Sequence, residues 1–360
     1  MNNLLILQSK NSIMTEISLQ KLSDIFSATL KGNPQSIVSE IITDSRSVVS
    51  SQHSVFFALK GERNDGHKYV VDLYERGIIH FVISDFRDEF SELENANFII
   101  VQNTLDSLQL LGNYNRGKFN GELIALTGSN GKTIVKEWLY QLLHEDYTVV
   151  RSPKSYNSQL GVALSLNLLN EFQDLAFIEA GISKPGEMFK LEKIVQPGTV
   201  IFTSLGAAHQ ENFLDKEQKA KEKLIMAKDA EILIFPRDNK VLRKQIQADP
   251  HLSKKKLFSW SLKGKDSDVK VKSILKSDSE TEIRIKSHDQ KIKYSIPFID
   301  DASVKNSLSC ISFLLAHDLL NDTVLENFTK LEPVEMRTEQ KEGINNCILI
   351  NDSYNSDLVS

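Results

Sequence analysis

The chain has 360 residues, of which 41% are hydrophobic and 25% charged. That is the composition of an ordinary soluble protein long enough for two or three domains with substantial cores. A net charge of −5 argues against a general nucleic-acid binder. Cys310 and Cys347 are the only cysteines; they offer neither a disulfide framework nor a metal cluster, and both are expected to be buried as small apolar residues.

Residues 1–14 read as a ragged tail. The apolar run at 4–7 is too short for a signal-peptide core or a membrane span, so the cytoplasm is the expected compartment. An α/β domain is predicted over 15–112. It has a helix at 19–30, a buried strand at 55–59, a polar loop with two glycines at 60–67, and strands at 78–83 and 98–101. A second domain is predicted over 113–330. Short apolar strands at 123–126, 148–150, 175–179, 200–203 and 231–235 alternate there with helical stretches, the pattern of a mostly parallel, doubly wound sheet. Segments 269–274, 280–285 and 291–296 read as an antiparallel appendage, and 303–317 as a helix. Residues 331–360 read as a linker and a strand at 347–352. A strand without a sheet cannot bury its faces, so a third, Rossmann-like domain is expected to be missing from this chain.

The most informative stretch is Thr127-Gly128-Ser129-Asn130-Gly131-Lys132-Thr133. It lies between an apolar strand and an amphipathic helix. A glycine loop in that position turns backbone N–H groups and a helix N-terminus toward an anion. Lys132 can reach the outer phosphates, and the Thr133 hydroxyl can ligate Mg²⁺. The loop is shorter than the usual G-x-x-x-x-G-K-[ST], because Leu126 stands where the first glycine would fall. Without the flanking strand and helix, such a string is often a surface turn.

Other candidates follow from position in the sheet, since ligands collect at the carboxyl ends of parallel strands. Glu179 ends an apolar strand and is placed to bind Mg²⁺, or else to cap a helix or face solvent. His209 follows the strand at 200–203 and can contact metal or phosphate. Asn157 follows the second strand of the sheet and reads as a phosphate or substrate contact or as a helix N-cap. By periodicity alone Lys223 is a solvated lysine in a charged run.

Together these residues resemble the Mur ligase family, the ATP-dependent amide ligases of peptidoglycan precursor synthesis. The shortened loop looks like the family's signature. The resemblance extends through Asp44-Ser45-Arg46, the segment around Lys60 to His67, Glu179 with Gly186-Glu187-Met188, Ala208-His209-Gln210-Glu211-Asn212-Phe213, and Asn351-Asp352-Ser353-Tyr354-Asn355. The last segments favour the branch that joins D-alanyl-D-alanine to a UDP-N-acetylmuramoyl-tripeptide. Some relatives continue into an alanine racemase domain.

The resemblance implies a role for each matching residue. Gly128, Ser129, Asn130, Gly131 and Lys132 would hold the β- and γ-phosphates of ATP. Thr133 and Glu179 would hold one Mg²⁺ and His209 a second. Lys223 would be a carbamylated lysine that helps fix the second ion, which displaces the solvated reading. Asn306 would contact the adenine, and Arg337 and Asp352 the phosphates and ribose. Asp44, Ser45 and Arg46 would receive the UDP-sugar. Ala302-Ser303 replace the family's usual His-Asn ahead of Asn306, and Ile225 stands where a glutamate commonly follows the carbamylated lysine. A monomer without nucleic-acid or membrane partners is expected. The rivals are a family member that adds the third amino acid, a folylpolyglutamate synthetase, which would lack the domain before 113, and a non-catalytic nucleotide-binding module.

Overall fold

The computed structural model describes residues 12–47, 52–61, 64–206, 210–264, 266–334, 339–342 and 347–351. They fall into two compact units, Met1–Asn120 with Gln159–Phe172, and Gly121–Ser158 with Gln173–Ser360.

In the first unit, strand β1 (Ser12–Ser18) leads into helix α1 (Leu19–Phe26). Ser18 caps the helix by accepting from the Lys21 amide. The sequence suggests helix as far as 30, but Ser27 turns left-handed at φ 51° and ends it. Strand β2 (Thr29–Lys31) follows, and its β-branched and apolar residues pair with a sheet edge instead. Strands β3 (Ile37–Ile42) and β4 (Ser54–Phe57), helix α2 (Val70–Glu75), strands β5 (His80–Ile83) and β6 (Asn97–Ile100) and helix α3 (Thr104–Lys118) complete the run. The sheet order is β1-β3-β4-β5-β6-β2. Its four middle strands are parallel, and both edges are antiparallel. The core includes Ile42, Phe56, Val70 and the stacked pair Phe81 and Phe98.

At the carboxyl ends of these parallel strands the chain is held tightly. After β3, Asp44 accepts the Arg46 amide and pairs with its guanidinium through both oxygens, at 2.9 and 2.8 Å. After β4, the buried His67 accepts the Ser84 amide at Nε2, so Nδ1 carries the hydrogen that meets Asp65 Oδ1 at 2.6 Å.

The second unit begins with strand β7 (Glu122–Thr127), the glycine loop and helix α4 (Lys132–Leu143). Strand β8 (Val149–Arg151) follows; helix α5 (Gln159–Leu166) belongs to the first unit. Then come β9 (Leu175–Glu179), α6 (Glu187–Val195), β10 (Thr199–Phe202), α7 (Lys216–Leu224), β11 (Ile232–Pro236), α8 (Lys240–Ala248) and β12 (Lys256–Ser261). Strands β13 (Val269–Lys276), β14 (Thr281–Ser287) and β15 (Gln290–Ile296) precede α9 (Asp301–Ala316) and α10 (Asp322–Asn327).

One nine-stranded sheet results, in the order β15-β14-β13-β12-β11-β10-β7-β9-β8. Every pair from β8 to β13 is parallel, and β13, β14 and β15 are antiparallel. The antiparallel strands are therefore an extension of the same sheet, joined through β12, which the sequence pattern did not reveal. Helices α4 and α9 contribute Val135, Trp138, Leu308 and Phe313 to the core over Ile124, Phe177, Ile201 and Phe258. Buried strands such as β9, with all five residues inaccessible, read as unbroken apolar runs because both faces are covered.

Strand β16 (Glu339–Glu342) pairs antiparallel with β17 (Ile348–Asn351). The strand predicted near 347–352 thus has a partner within this chain. Cys310 is buried, as expected, and burial pushes its thiol pKa up. Cys347 is exposed, contrary to expectation; it sits just ahead of β17 in a two-stranded sheet, which offers little to bury it. Among the described residues no helix is long and apolar enough to cross a membrane.

Candidate nucleotide site

The loop between β7 and α4 is shaped by two glycines that no other residue replaces without strain. Gly128 has φ +136°, and a Cβ there would collide with Thr203 Oγ1 and lie 2.9 Å from the Ser204 amide nitrogen. Gly131 has φ +88°, and its Cβ would collide with Asn306 Oδ1. These contacts show how closely the segment after β10 and the second turn of α9 approach the loop. They also bring the predicted Asn306, itself nearly buried, against Gly131.

The loop amides divide into two groups. Ser129 N donates to Ser204 O at 2.8 Å, and Asn130 N donates to Ser204 Oγ at 2.9 Å. These two fasten the loop to the segment after β10, rather than pointing jointly at an anion as the sequence suggested. The first turn of α4, opening at Lys132, supplies N–H groups that have no acceptor within the helix, together with the positive end of its dipole.

Three lysine amino groups gather around this loop. Lys132 Nζ donates to the carbonyls of Gly128 at 2.8 Å and Ser129 at 3.3 Å. Lys223 Nζ reaches the same Gly128 oxygen at 3.3 Å. Lys219 Nζ donates to Gly206 O at 2.7 Å, and Gly206 N donates to Ser129 Oγ at 2.9 Å. Lys219 and Lys223 are buried on the inner side of α7. The pKa of Lys223 is held well below the usual lysine value, first by burial and then by the charges of Lys132 and Lys219. The solvated reading of Lys223 from its charged run is therefore wrong. Lys219, which sequence reasoning passed over, stands four residues earlier on the same helical face.

Beside the loop, Thr133 Oγ1 donates to Glu179 Oε2 at 3.1 Å and lies 3.2 Å from Ser155 Oγ. Glu179 is wholly buried at the end of β9. Its Oε1 is 2.9 Å from Lys136 Nζ, yet accepts no hydrogen bond; the approach is at an angle that leaves an ion pair without a directed bond. A buried carboxylate facing a hydroxyl, with lone pairs uncommitted, fits a hard divalent cation such as Mg²⁺. Asn157 lies near this end of the sheet, its carbonyl accepting the Gly181 amide at 2.8 Å.

Asp44, Ser45 and Arg46 belong to the first unit, with Arg46 exposed. His209, Arg337 and Asp352 lie outside the described residues.

A family model described as the Mur ligase middle domain matches residues 126–314. Among curated relatives, the UDP-N-acetylmuramoyl-tripeptide--D-alanyl-D-alanine ligase of Bacillus subtilis is 26% identical over 95% of this chain and 73% of its own length. The Borreliella burgdorferi ligase of the same name is 29% identical over 91% of this chain and 71% of its own length. Among solved structures, MurF from Acinetobacter baumannii superposes with a TM-score of 0.86 at 23% identity, covering 96% of this chain and 74% of that one. MurF ligase from Thermotoga maritima, solved in complex with ADP, gives 0.75 at 22% identity, covering 88% and 71%.

Proposed function

This chain belongs to the Mur ligase family, and from that premise we propose that it joins D-alanyl-D-alanine to a UDP-N-acetylmuramoyl-tripeptide at the expense of ATP. The reading rests on one observation above others: Lys132 and Lys223 converge on Gly128, beside a Thr133–Glu179 pair at the carboxyl edge of the sheet. Relatives bearing that ligase name, aligned over more than nine-tenths of this chain, support the choice of substrates.

The chemistry is acyl activation. A carboxylate acylates poorly because its leaving group would be an oxide. One carboxylate oxygen of the tripeptide attacks the γ-phosphorus of ATP, the bond to the bridging oxygen breaks, and ADP leaves. The product is an acyl phosphate. The D-alanyl-D-alanine amine then attacks the carbonyl carbon, the C–O bond to phosphate breaks, and the amine loses a proton as the amide forms. Two anions must meet in the first step, so Lys132 and the first turn of α4 would offset their repulsion. Thr133 and Glu179 would hold Mg²⁺, which neutralises charge on the phosphates when bound.

Lys223 has the properties that carbamylation requires. An amine adds to CO₂ only when unprotonated, and burial beside two other lysines favours that form. The nitrogen forms a bond to carbon, a proton is released, and the carbamate carries a negative charge toward Lys132 and Lys219. In this reading that carbamate and His209 would hold a second divalent ion, Asn306 would meet the adenine, and Arg337 and Asp352 would reach the phosphates and ribose. The first unit would receive the UDP-sugar through Asp44, Ser45 and Arg46, with Asn157 contacting substrate. A cytoplasmic monomer is the assembly proposed.

The test is ADP release by the chain with UDP-N-acetylmuramoyl-tripeptide and Mg·ATP, with and without D-alanyl-D-alanine. A parallel reaction supplies the UDP-muramoyl dipeptide and single amino acids. Turnover only with the UDP-tripeptide and D-alanyl-D-alanine supports the reading. Turnover only with a single amino acid would assign the chain to the neighbouring ligase of the family.

A further inference from the structure

Beneath the loop, Lys136 of α4 occupies a position that an apolar side chain could fill. It is fully buried, and four oxygens surround its ammonium group. Nζ donates to Ser152 O at 2.7 Å and to Lys154 O, and lies 2.9 Å from Glu179 Oε1 and 3.0 Å from Glu137 Oε1. Glu137 is matched in turn by Arg151, whose Nε donates to Glu137 Oε2 at 2.7 Å. Two positive and two negative side chains thus pair off at the carboxyl end of β8 and β9.

We propose that Lys136 is a positioning residue, holding Glu179 so that its Oε2 faces Thr133 as a one-oxygen ligand for the divalent cation. The inference rests on the ligase reading above, and adds a residue that reading does not use. Three observations carry it. Lys136 lies three residues after Thr133, so one face of α4 presents both to the same carboxylate. The pairing assigns one oxygen of Glu179 to each: Oε1 to the ammonium, Oε2 to the hydroxyl. The same ammonium also ties down the chain at 152–154. That stretch supplies the Ser152 hydroxyl for the Glu179 amide at 3.0 Å and leads to Ser155, which meets Thr133 at 3.2 Å.

Stability alone is a poor reason for such a lysine. Replacing a buried ion pair with apolar residues of similar volume is often neutral or stabilising. Two effects on the metal oppose each other. Removing a positive charge next to Glu179 would strengthen its attraction for a cation, whereas losing the partner that orients a ligand typically weakens metal binding by about 10- to 100-fold. Orientation dominates in this account, because Oε1 has no other partner among the described residues to hold it.

The experiment measures the Mg²⁺ concentration at which the full chain binds a fluorescent, non-hydrolysable ATP analogue. Lys136→Met is expected to raise that midpoint by about 10- to 100-fold, with a cooperative melt retained and Lys136→Arg recovering part of the shift. Lys136→Gln keeps a donor for Ser152 O and serves if the Met variant does not fold; the same rise is expected. A folded variant lacking the ammonium, with the wild-type midpoint or a lower one, overturns the proposal. If analogue binding by the unaltered chain does not depend on Mg²⁺, the ligase reading itself fails, a result distinct from failure of the Lys136 role.

Discussion

Lys132 and Lys223 share one acceptor. Their Nζ atoms approach the Gly128 carbonyl oxygen at 2.8 and 3.3 Å, one from the start of α4 and the other from α7. Lys132 brings a positive charge to this point, whereas burial and that charge favour the neutral amine of Lys223. Each lysine therefore gives a separate prediction.

Lys132→Ala is expected to lower kcat/KM for ADP release by at least about 10²-fold, the scale of losing one preorganised electrostatic contact to developing charge. The fold should persist, since the Lys132 ammonium donates to carbonyls of its own loop. Steady-state kinetics beside a thermal melt check both halves. Near wild-type turnover would remove Lys132 from the mechanism.

Lys223 predicts a pH signature. Its folded pKa lies well below the unfolded value, through burial and then the charges of Lys132 and Lys219. Between those two values the unfolded chain binds the extra proton, so stability rises with pH across that window. Below the folded pKa both states are protonated and the slope disappears. Lys223→Met should flatten the rise of melting temperature with pH on the alkaline side of neutrality, and should abolish ligation. Melting curves at a series of pH values test the first expectation. Activity in CO₂-depleted buffer, restored by bicarbonate in the unaltered chain alone, tests the carbamate.

Gly131→Ala is expected to destabilise the chain by about 1–3 kcal/mol, the scale for a non-glycine residue held at positive φ, with added strain from Asn306. Gly131→Ala combined with Asn306→Ala should recover only the collision part. Chemical denaturation resolves the two contributions. Equal stability of the single and double variants would mean that Asn306 yields without cost.

Arg46→Ala should raise KM for the UDP-linked substrate and leave the melting temperature almost unchanged. Arg46 is exposed and its pairing with Asp44 lies at the surface, where such pairs contribute little to stability. A large loss of stability with unaltered KM would instead make the pair a structural one.

Much of this was legible in the sequence, for physical reasons. The strand–loop–helix around Lys132 is written locally, in an apolar run, two glycines and an amphipathic stretch. Glu179 could be located because a charge at the end of a buried strand interrupts an apolar run. Lys219 and Lys223 were not legible in the same way: a lysine in a charged helix looks solvated until the fold closes over it. Lys136 was hidden for the same reason, although its spacing of three from Thr133 was visible. Helix α1 was overextended because the left-handed turn at Ser27 leaves no mark in hydrophobic periodicity. Strand β12 escaped because Lys256 and two serines break its apolar pattern, although Phe258 and Trp260 are in the core.

The central claim is that ATP activates the substrate by phosphorylating its carboxylate, and isotope transfer tests it most directly. The tripeptide carboxylate is labelled with ¹⁸O and turned over with Mg·ATP and D-alanyl-D-alanine, and the released inorganic phosphate is analysed by mass spectrometry. The account predicts one labelled oxygen in each phosphate formed. Unlabelled phosphate, or label recovered in AMP, would contradict it.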